Sequence, residues 1–501
     1  MKECIEAHGI RVAFVHMPTV PVLIILSCLL FTSTNAQCVQ LSIEGRERLF
    51  TTEPFFASWN IDSSRQRNFF DIDFSDSRLR YLASQIGGAV IRFGGTGNDF
   101  LHYVVGPDAP PCATVPFVYE CLNTTWWENL YGLSAASSSA LVFGLNITQQ
   151  PWDAYNAVSL LEYAKSRNQT FFGLELGNEQ NSKGMSAEAQ ADSLRVLSEA
   201  LDKVYGQVGR PVLLGPDPSG FHVAPKEDAS GRAQRIVEFL KNFTIAAAPY
   251  LYAITHHEYI EIDDVQCINS TWLDSSREIA KAVVAAVRES DPAGRLKVFA
   301  GEIGPHNGGN KVPNCEGNKV CGRWGSSLWY MDSMGAKSRE GYGAFFRQDF
   351  IGADYGLLNY TSFSPSTDFW VLMVWRRTVG TGVLNVSKAP MSAHGVRVYA
   401  FCGVKVGTVT LVLLNLNATV AACSEPPALA NSNPRQQFTL TPSDGTVTSA
   451  GALLNGQLLQ LGADGRVPSL LPQSLPATAP IALPPLSITF AVFSSEADAC
   501  L

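Results

Sequence analysis

A basic surplus is what this 501-residue chain most plainly lacks. Lys and Arg number 37 against 45 Asp and Glu, a formal net charge of -8. Nucleic-acid binding needs a cationic surface that displaces counterions, so that class is excluded. Tight binding of long polyanions is poorly served for the same reason. Charge of either sign is sparse, 16% of residues against 46% hydrophobic, which excludes a disordered chain and supplies a sizeable core. Long apolar runs are missing too, with one exception. Residues 22–31 read VLIILSCLLF, the length of a signal-peptide core and too short for a comfortable membrane span. A leader over 1–36 is expected, cleaved before Gln37, with Met17 as an alternative start. No stable membrane span is expected elsewhere. Zinc-type cysteine spacing, internal repeats and low-complexity tracts are absent, and Pro-rich 468–485 reads as loop.

Of the 11 cysteines, Cys4 and Cys28 leave with the leader. The rest read as disulfides plus at least one free thiol, with Cys112/Cys121, Cys315/Cys321 and Cys402/Cys500 as the expected pairs. This fits the secretory pathway, ending outside the cell or in a lysosome or vacuole. Sequons stand at Asn123, Asn146, Asn168, Asn242, Asn269, Asn359, Asn385 and Asn417. Asn146 ends an apolar run and is expected to be buried and bare.

Eight short apolar runs alternate with helical patterns: 55–62, 89–95, 140–146, 171–179, 211–217, 253–259, 297–304 and 355–360. Helical spacing of Leu194, Leu197, Leu201 and Val204 marks a helix over 186–205, and similar patterns cover 232–243 and 276–289. Eight such repeats predict an α/β fold, a (β/α)8 barrel over 51–388. After residue 389 helical periodicity stops. Strand-like runs at 408–416, 437–441, 453–461 and 485–493 predict a β-sandwich over 389–501, joined by an N-terminal strand within 37–50.

Barrel enzymes place their chemistry at the C-terminal ends of the strands. Glu179 ends the fourth run, after Asn178, and Glu302 ends the seventh. Strands four and seven face each other across a barrel mouth. Paired carboxylates there are the tool of glycoside hydrolysis: one donates a proton to the leaving oxygen, the other attacks the anomeric carbon. Asn178 is suited to hydrogen-bond the sugar 2-hydroxyl. This chemistry needs two carboxylates and water, so no cofactor is expected. His256 and His257 lack a third ligand at metal spacing, so no metal is expected either.

The segments ELGNEQN (175–181), FAGEIGPHNGG (299–309), VIRFGGTGNDF (90–100), LVFGLN (141–146), GPD (215–217) and THHEY (255–259) resemble the heparanase and β-glucuronidase proteins of glycoside hydrolase family 79. The resemblance continues through RQDFIGADYGLL (347–358) and DFWVLMVWRRTVGTGVL (368–384) to VYAFC (398–402) and Cys500. It implies a retaining mechanism with Glu179 as acid/base and Glu302 as nucleophile. It implies that Asn178, Asp62 and Thr96 hold hydroxyls of a uronic acid. Gly308 and Gly309 would offer backbone N–H groups to its carboxylate, Tyr355 a phenol, and Gln348 a further polar contact. One His of the strand-six pair borders the substrate in the family; His256 is carried forward as that contact, together with Tyr259. Arg92 is expected to hold carboxylates at the barrel mouth.

Departures from the family pattern bear on specificity. Glu258 stands where animal heparanases have a Tyr that contacts the nucleophile, with Tyr259 adjacent, and Asn307 replaces another Tyr. The strand-three loop, Thr148-Gln149-Gln150, lacks the Lys and Arg that grip sulfated chains, and the charges of 222–241 are mixed in sign. The insertion at 101–139 is short, so a single active chain is expected. The substrate read from these features is a glucuronic-acid-containing glycan or glucuronide, cleaved in the exo sense. Three alternatives stand beside it: an endo-β-glucuronidase of the heparanase type acting on heparan sulfate, a non-catalytic glycan-binding member, and a barrel glycosidase for neutral sugars.

Overall fold

A computed structural model describes residues 38–64, 69–116, 119–148, 151–206, 208–222, 231–307, 319–389 and 395–501. The expected leader, together with Cys315, Gly308 and Gly309, lies outside the described residues. Eight parallel strands close into a barrel: β1 (Ala57–Asp62), β2 (Val90–Gly94), β3 (Ala140–Leu145), β4 (Gly173–Leu176), β5 (Val212–Pro216), β6 (Ala253–Tyr259), β7 (Lys297–Gly304) and β8 (Ala344–Arg347). Closure is made by β6 pairing with both β5 and β7. A helix follows each strand, from Ser77–Gln85 after β1 to Thr367–Thr378 after β8. The barrel floor is a layer of Val90, Val142, Leu214, Ala253, Phe299, Ala344 and Phe346. It is a packed core rather than a pore, and it leaves only the upper ends of the strands for chemistry.

Local signals agree with this frame. Helix Ala187–Tyr205 starts where the Ser186 hydroxyl accepts from Ala189 N at 3.2 Å, and it buries Leu194, Leu197 and Leu201. It stops at Gly206, whose φ of 67° suits glycine. One element differs from expectation. The eighth strand is Ala344–Arg347, and the run at 355–360 is a loop joined to its neighbours by isolated bridges at Leu358. Its Tyr355, Leu357 and Leu358 are apolar because the loop is buried, not because it pairs as a strand.

The antiparallel region begins earlier than the change of pattern at 389. Val379–Leu384 already pairs with Val396–Gly403 and with Phe50–Thr51. The large sheet continues through Thr408–Asn415, Ile488–Ser494, Arg435–Pro442 and Ala452–Leu454. Two short pairs stand apart from it: Gln40–Ile43 with Val386–Ala389, and Ala422–Ser424 with Ile481–Leu483. Val386, Ile481 and Leu483 of these pairs, with Val39 just before them, share a core with Val409, Leu411 and Leu413 of the large sheet. The sheet also shares one apolar core with the barrel, which is why helix Trp324–Glu340 is buried on nearly all sides. Trp324 Nε1 donates to Leu486 O at 2.7 Å, and Tyr399 Oη donates to Asp332 Oδ1 at 2.6 Å.

Disulfides Cys112–Cys121 and Cys402–Cys500 form as expected, and Cys321 is also bonded. Cys38–Cys423, unanticipated in the sequence, ties the N-terminal strand to the sandwich, and Cys267 is the buried free thiol. Asn146 is half-buried rather than buried. Its Nδ2, the atom a glycan would use, donates to Leu101 O at 2.8 Å. The other seven sequon asparagines are exposed. Among the described residues, no helix is long and apolar enough to cross a membrane.

Glu258 points away from the barrel interior into a fully buried ion pair with Lys337, at 2.9 and 3.0 Å, where Ser276 Oγ also accepts from Lys337 at 2.7 Å. Removing one partner strands the other charge without solvent. Lys337→Met should therefore cost about 3–5 kcal/mol in urea unfolding, while Glu258→Leu combined with Lys337→Met should recover most of that loss. Equal losses in the single and double variants would refute the pairing.

Candidate active site

Strand alternation decides which side chains of β6 face inward. Ala253 belongs to the barrel floor, and Thr255, His257 and Tyr259 follow it on the same face. His256 and Glu258 point outward. His256, expected at the substrate, is therefore elsewhere: its Nε2 lies 2.8 Å from Tyr342 Oη and its ring meets Phe221 edge-on. Burial, with the Lys337 charge nearby, pushes its pKa down to about 3, so the ring is neutral. His257 takes the inward place that the sequence left open between the two.

Glu302 reaches the interior through an irregularity. The β6–β7 register runs His256 to Ala300, then His257 to Glu302, so Gly301 is an extra residue on β7. Without this bulge, alternation from Phe299 would turn Glu302 outward. Gly301 is required there, because a Cβ would lie 2.8 Å from Asp217 Oδ1 and 3.1 Å from Thr255 Cβ. Asn60 Nδ2 of β1 holds its carbonyl at 3.1 Å.

Glu179 is presented by a strained turn. It follows β4 with φ 52° and ψ 39°, a left-handed conformation that costs about 1–2 kcal/mol for a non-glycine residue. Its N–H donates to the carbonyl of Asp217, itself left-handed at the end of β5, at 3.0 Å. Asp99 braces the same turn from beneath. Its carboxylate accepts from Asn178 N at 3.0 Å, from Gln180 Nε2 at 2.8 Å and from Lys183 Nζ. Lys183 also donates to Asn178 O at 2.8 Å.

Between the two carboxylates lies a buried network. Arg92 Nε donates to Glu175 at 2.7 Å, Nη1 to Glu302 at 3.0 Å and Nη2 to Asn178 Oδ1 at 3.3 Å. Asp217 lies 3.6 Å from Arg92 and 3.3 Å from His257 Nε2. His257 Nδ1 lies 3.0 Å from Glu179, and the Tyr259 hydroxyl donates to Glu302. Burial alone would lower His257, but the Glu302 charge and hydrogen bonds to Asp217 and Glu179 outweigh it and raise the pKa to about 10. Burial, with the Asp217 charge beside it, pushes Glu175 up to about 8 against the pull of Arg92. Asp217 is itself buried, yet Arg92 and His257 hold it well below the usual carboxylate range.

The remaining expected residues divide into three groups. Gln348 Nε2 donates to Asp62 Oδ2 at 2.5 Å, and Asn178 Nδ2 to Thr96 Oγ1 at 3.4 Å, which draws these four polar groups together around the mouth. Tyr355 is fully buried and packs with Tyr259, Cys321 and Ala353. Gly308 and Gly309 lie outside the described residues. Sequence reasoning missed the bracing roles of Asp99, Gln180 and Lys183, and overlooked Asp217 although GPD was noted. A strand-end Asp after Gly-Pro was the available signal.

Glu179, His257 and Glu302 each offer an atom within 4.8 Å of the others, the spacing of a metal site. Their chemistry does not suit a cation. A protonated imidazole has no lone pair to give, and Arg92 already supplies positive charge to Glu302.

Residues 58–335 match the family model described as Glycosyl hydrolase family 79, N-terminal domain. Heparanase-like protein 3 of Arabidopsis thaliana is 25% identical with 84% of each chain covered. Heparanase of Gallus gallus is 26% identical over 95% of this chain and 99% of its own. Baicalin-beta-D-glucuronidase of Scutellaria baicalensis is 24% identical with 84% of each covered. Among solved structures, the GH51 arabinofuranosidase from Xanthomonas axonopodis pv. citri has a TM-score of 0.68 at 12% identity, covering 91% of this chain and 99% of its own. A 4-O-alpha-L-rhamnosyl-beta-D-glucuronidase from Fusarium oxysporum 12S has a TM-score of 0.59 at 14% identity, covering 91% and 100%. At such identities the solved structures establish the fold alone.

Three groups of the network bind protons more tightly in the folded chain than in an unfolded one. Burial raises Asp99 to about 6 despite Lys183, Glu175 rises to about 8 and His257 to about 10. Each contributes stability that falls as pH rises from its ordinary value to its folded one. Those windows run from about pH 4 to 6, 4.5 to 8 and 6.5 to 10 respectively. Asp217 acts in the opposite sense, but only below about pH 4. Buried His256, held down to about 3, gains stability from about pH 3 to 6.5 and offsets part of the Asp99 and Glu175 losses. The unfolding temperature, followed by calorimetry, should therefore peak at about pH 4–4.5 and fall most steeply between about pH 6.5 and 8. A flat or rising profile would contradict this proton balance.

Proposed function

Since the chain belongs to glycoside hydrolase family 79, we propose that it is a retaining, exo-acting β-glucuronidase that removes glucuronic acid from glycans or glucuronides. One observation carries the reading: oxygens of Glu179 and Glu302 approach within 4.8 Å at the ends of opposed strands. Retaining glycosidases space their carboxyl groups about 5–5.5 Å apart, and inverting ones about 6.5–9.5 Å.

In the first step Glu302 attacks the anomeric carbon while Glu179 gives its proton to the leaving oxygen. The glycosidic bond breaks and an ester between the sugar and Glu302 forms. In the second step Glu179 takes a proton from water, the water oxygen attacks the same carbon, and Glu302 leaves as carboxylate. The contacts suit these roles. Arg92 and Tyr259 both donate to Glu302, which fixes the nucleophile in place. The Glu179 side chain is 24% exposed, so it can exchange its proton with solvent. Arg92 holds the Asn178 oxygen, and Asn178 Nδ2, 3.4 Å from Thr96 Oγ1, is the donor assigned to the sugar 2-hydroxyl.

Glucuronate as the sugar rests on the family resemblance at Gly308, Gly309 and Tyr355, and on the likeness to a protein named as a glucuronidase. Exo action rests on the net charge of -8 and on a strand-three loop without cations. Full-length likeness to a heparanase favours a second reading, endo-cleavage of heparan sulfate. Disulfides such as Cys38–Cys423 support an oxidising, secretory route.

Wild-type protein should release p-nitrophenol from the β-glucuronide, with the β-anomer of glucuronate formed first by proton NMR. Glu302→Ala should abolish release, and Glu179→Gln should lower kcat/KM by about 10²–10⁴-fold for glycan substrates. The rate should follow a bell with an acidic optimum. A first-formed α-anomer, or a rate flat up to about pH 9, would overturn the assignment. A size shift of heparan sulfate on gel filtration would decide for the endo reading.

A further inference from the structure

A second cavity, of different chemistry, lies beside the barrel mouth. Its volume is about 260 Å3, and its lining includes His102, Tyr119, Asn146, Trp152 and Tyr155. Two larger cavities, of about 480 and 380 Å3, lie where the barrel meets the sandwich, and their charged linings are internally engaged. In the first Arg397 pairs with Asp274, and in the second Arg376 donates to the carbonyls of Ala57 and Gly87.

The smaller cavity is built on a rigid frame. Asn156 clasps the Tyr103 backbone from both sides, accepting from its N–H at 2.9 Å and donating to its carbonyl at 2.9 Å. Tyr103 Oη in turn accepts from Asn146 N at 3.1 Å, and Trp152 Nε1 donates to Asn146 O at 2.8 Å. Strands Leu101–Val104 and Glu120–Asn123 pair in parallel, and Cys112–Cys121 closes the loop between them. On this frame the rings of His102 and Tyr119 sit 5.8 Å apart. Tyr155, in the first turn of its helix, is 87% exposed. A tyrosine left in water on a fixed helix end contributes little to the core, yet it offers a large flat face to a ligand.

The charge of the lining selects among ligands. Among the described residues it contains no Lys or Arg, and its one carboxylate is Asp153. Burial lowers the His102 pKa, which disfavours a charge on that ring as well. Sulfate or carboxylate groups would meet no counter-charge from these described residues. An uncharged sugar ring, with an apolar face and a hydroxyl rim, fits aromatic rings beside Asn and Asp side chains.

We propose that this cavity is a second carbohydrate subsite that takes a neutral sugar unit of the substrate chain, stacked against Tyr155 and Tyr119. His102 follows Thr96 by six residues, which limits their separation to about 20 Å. Thr96 is itself at the mouth, 3.4 Å from Asn178. One glycan of a few units can therefore span both places. The substrate class is narrowed accordingly to glucuronic acid borne on an uncharged glycan. This builds on the proposed glycosidase reading, but its test does not depend on turnover.

Isothermal titration of the full chain with neutral galacto-, xylo- and gluco-tetrasaccharides, and with a sulfated heparin tetrasaccharide, tests the subsite. At least one neutral tetrasaccharide should bind, and Tyr155→Ala and Tyr119→Ala should each weaken it by up to about tenfold. The same variants should turn over p-nitrophenyl β-glucuronide as wild type does. The proposal is overturned if no neutral tetrasaccharide binds, if both variants bind as wild type does, or if the sulfated probe binds as well and is weakened equally. Loss of aryl-glucuronide turnover in wild type would instead sink the glucuronidase reading and leave the binding result standing.

Discussion

Arg92, a single buried guanidinium, touches Glu175, Asn178 and Glu302 and lies beside Asp217 and His257. Several carboxylates crowded out of water would repel one another or take up protons. A fixed positive charge at their centre pairs with Glu302 inside a nearly dry site, and the same guanidinium orients Asn178. Because Arg92 sits one layer above the apolar floor of the barrel, its donors are aimed by strand geometry rather than by a flexible loop.

The two catalytic candidates are brought to this centre by opposite devices. Glu302 relies on an added residue, Gly301, which resets the alternation of β7. Glu179 relies on a left-handed backbone, held by the Asp217 carbonyl and the Asp99 carboxylate. Both are departures from regular structure, and both are stabilised by buried polar contacts that regular strands would not need. A site on ideal elements would leave these side chains on the wrong face or out of reach.

The sandwich takes part in the same economy of burial. Helix Trp324–Glu340 is wrapped by barrel and sheet together, and its Asp332 and Lys337 are satisfied by Tyr399 and Glu258. The aromatic cavity near Tyr155 is different. Its floor is tied to the common core through Tyr103, Trp152 and Ala157, while Tyr155 stands in solvent.

Composition and periodicity were enough to determine the barrel, the sandwich, seven of the eight strands and the ends of β4 and β7, because alternation and helical spacing are local properties of the chain. They also placed Glu179 and Glu302 at strand ends. The choice of His257 over His256 was beyond them, since adjacent residues of a strand differ only in which face the pairing turns inward. The eighth strand was misplaced because a buried loop and a short strand are equally apolar in sequence. Asp99, Lys183 and Asp217 acquire meaning only when segments about 40 residues or more apart meet. That meeting is set by closure of the barrel, a tertiary event with no signature in any one stretch of the chain.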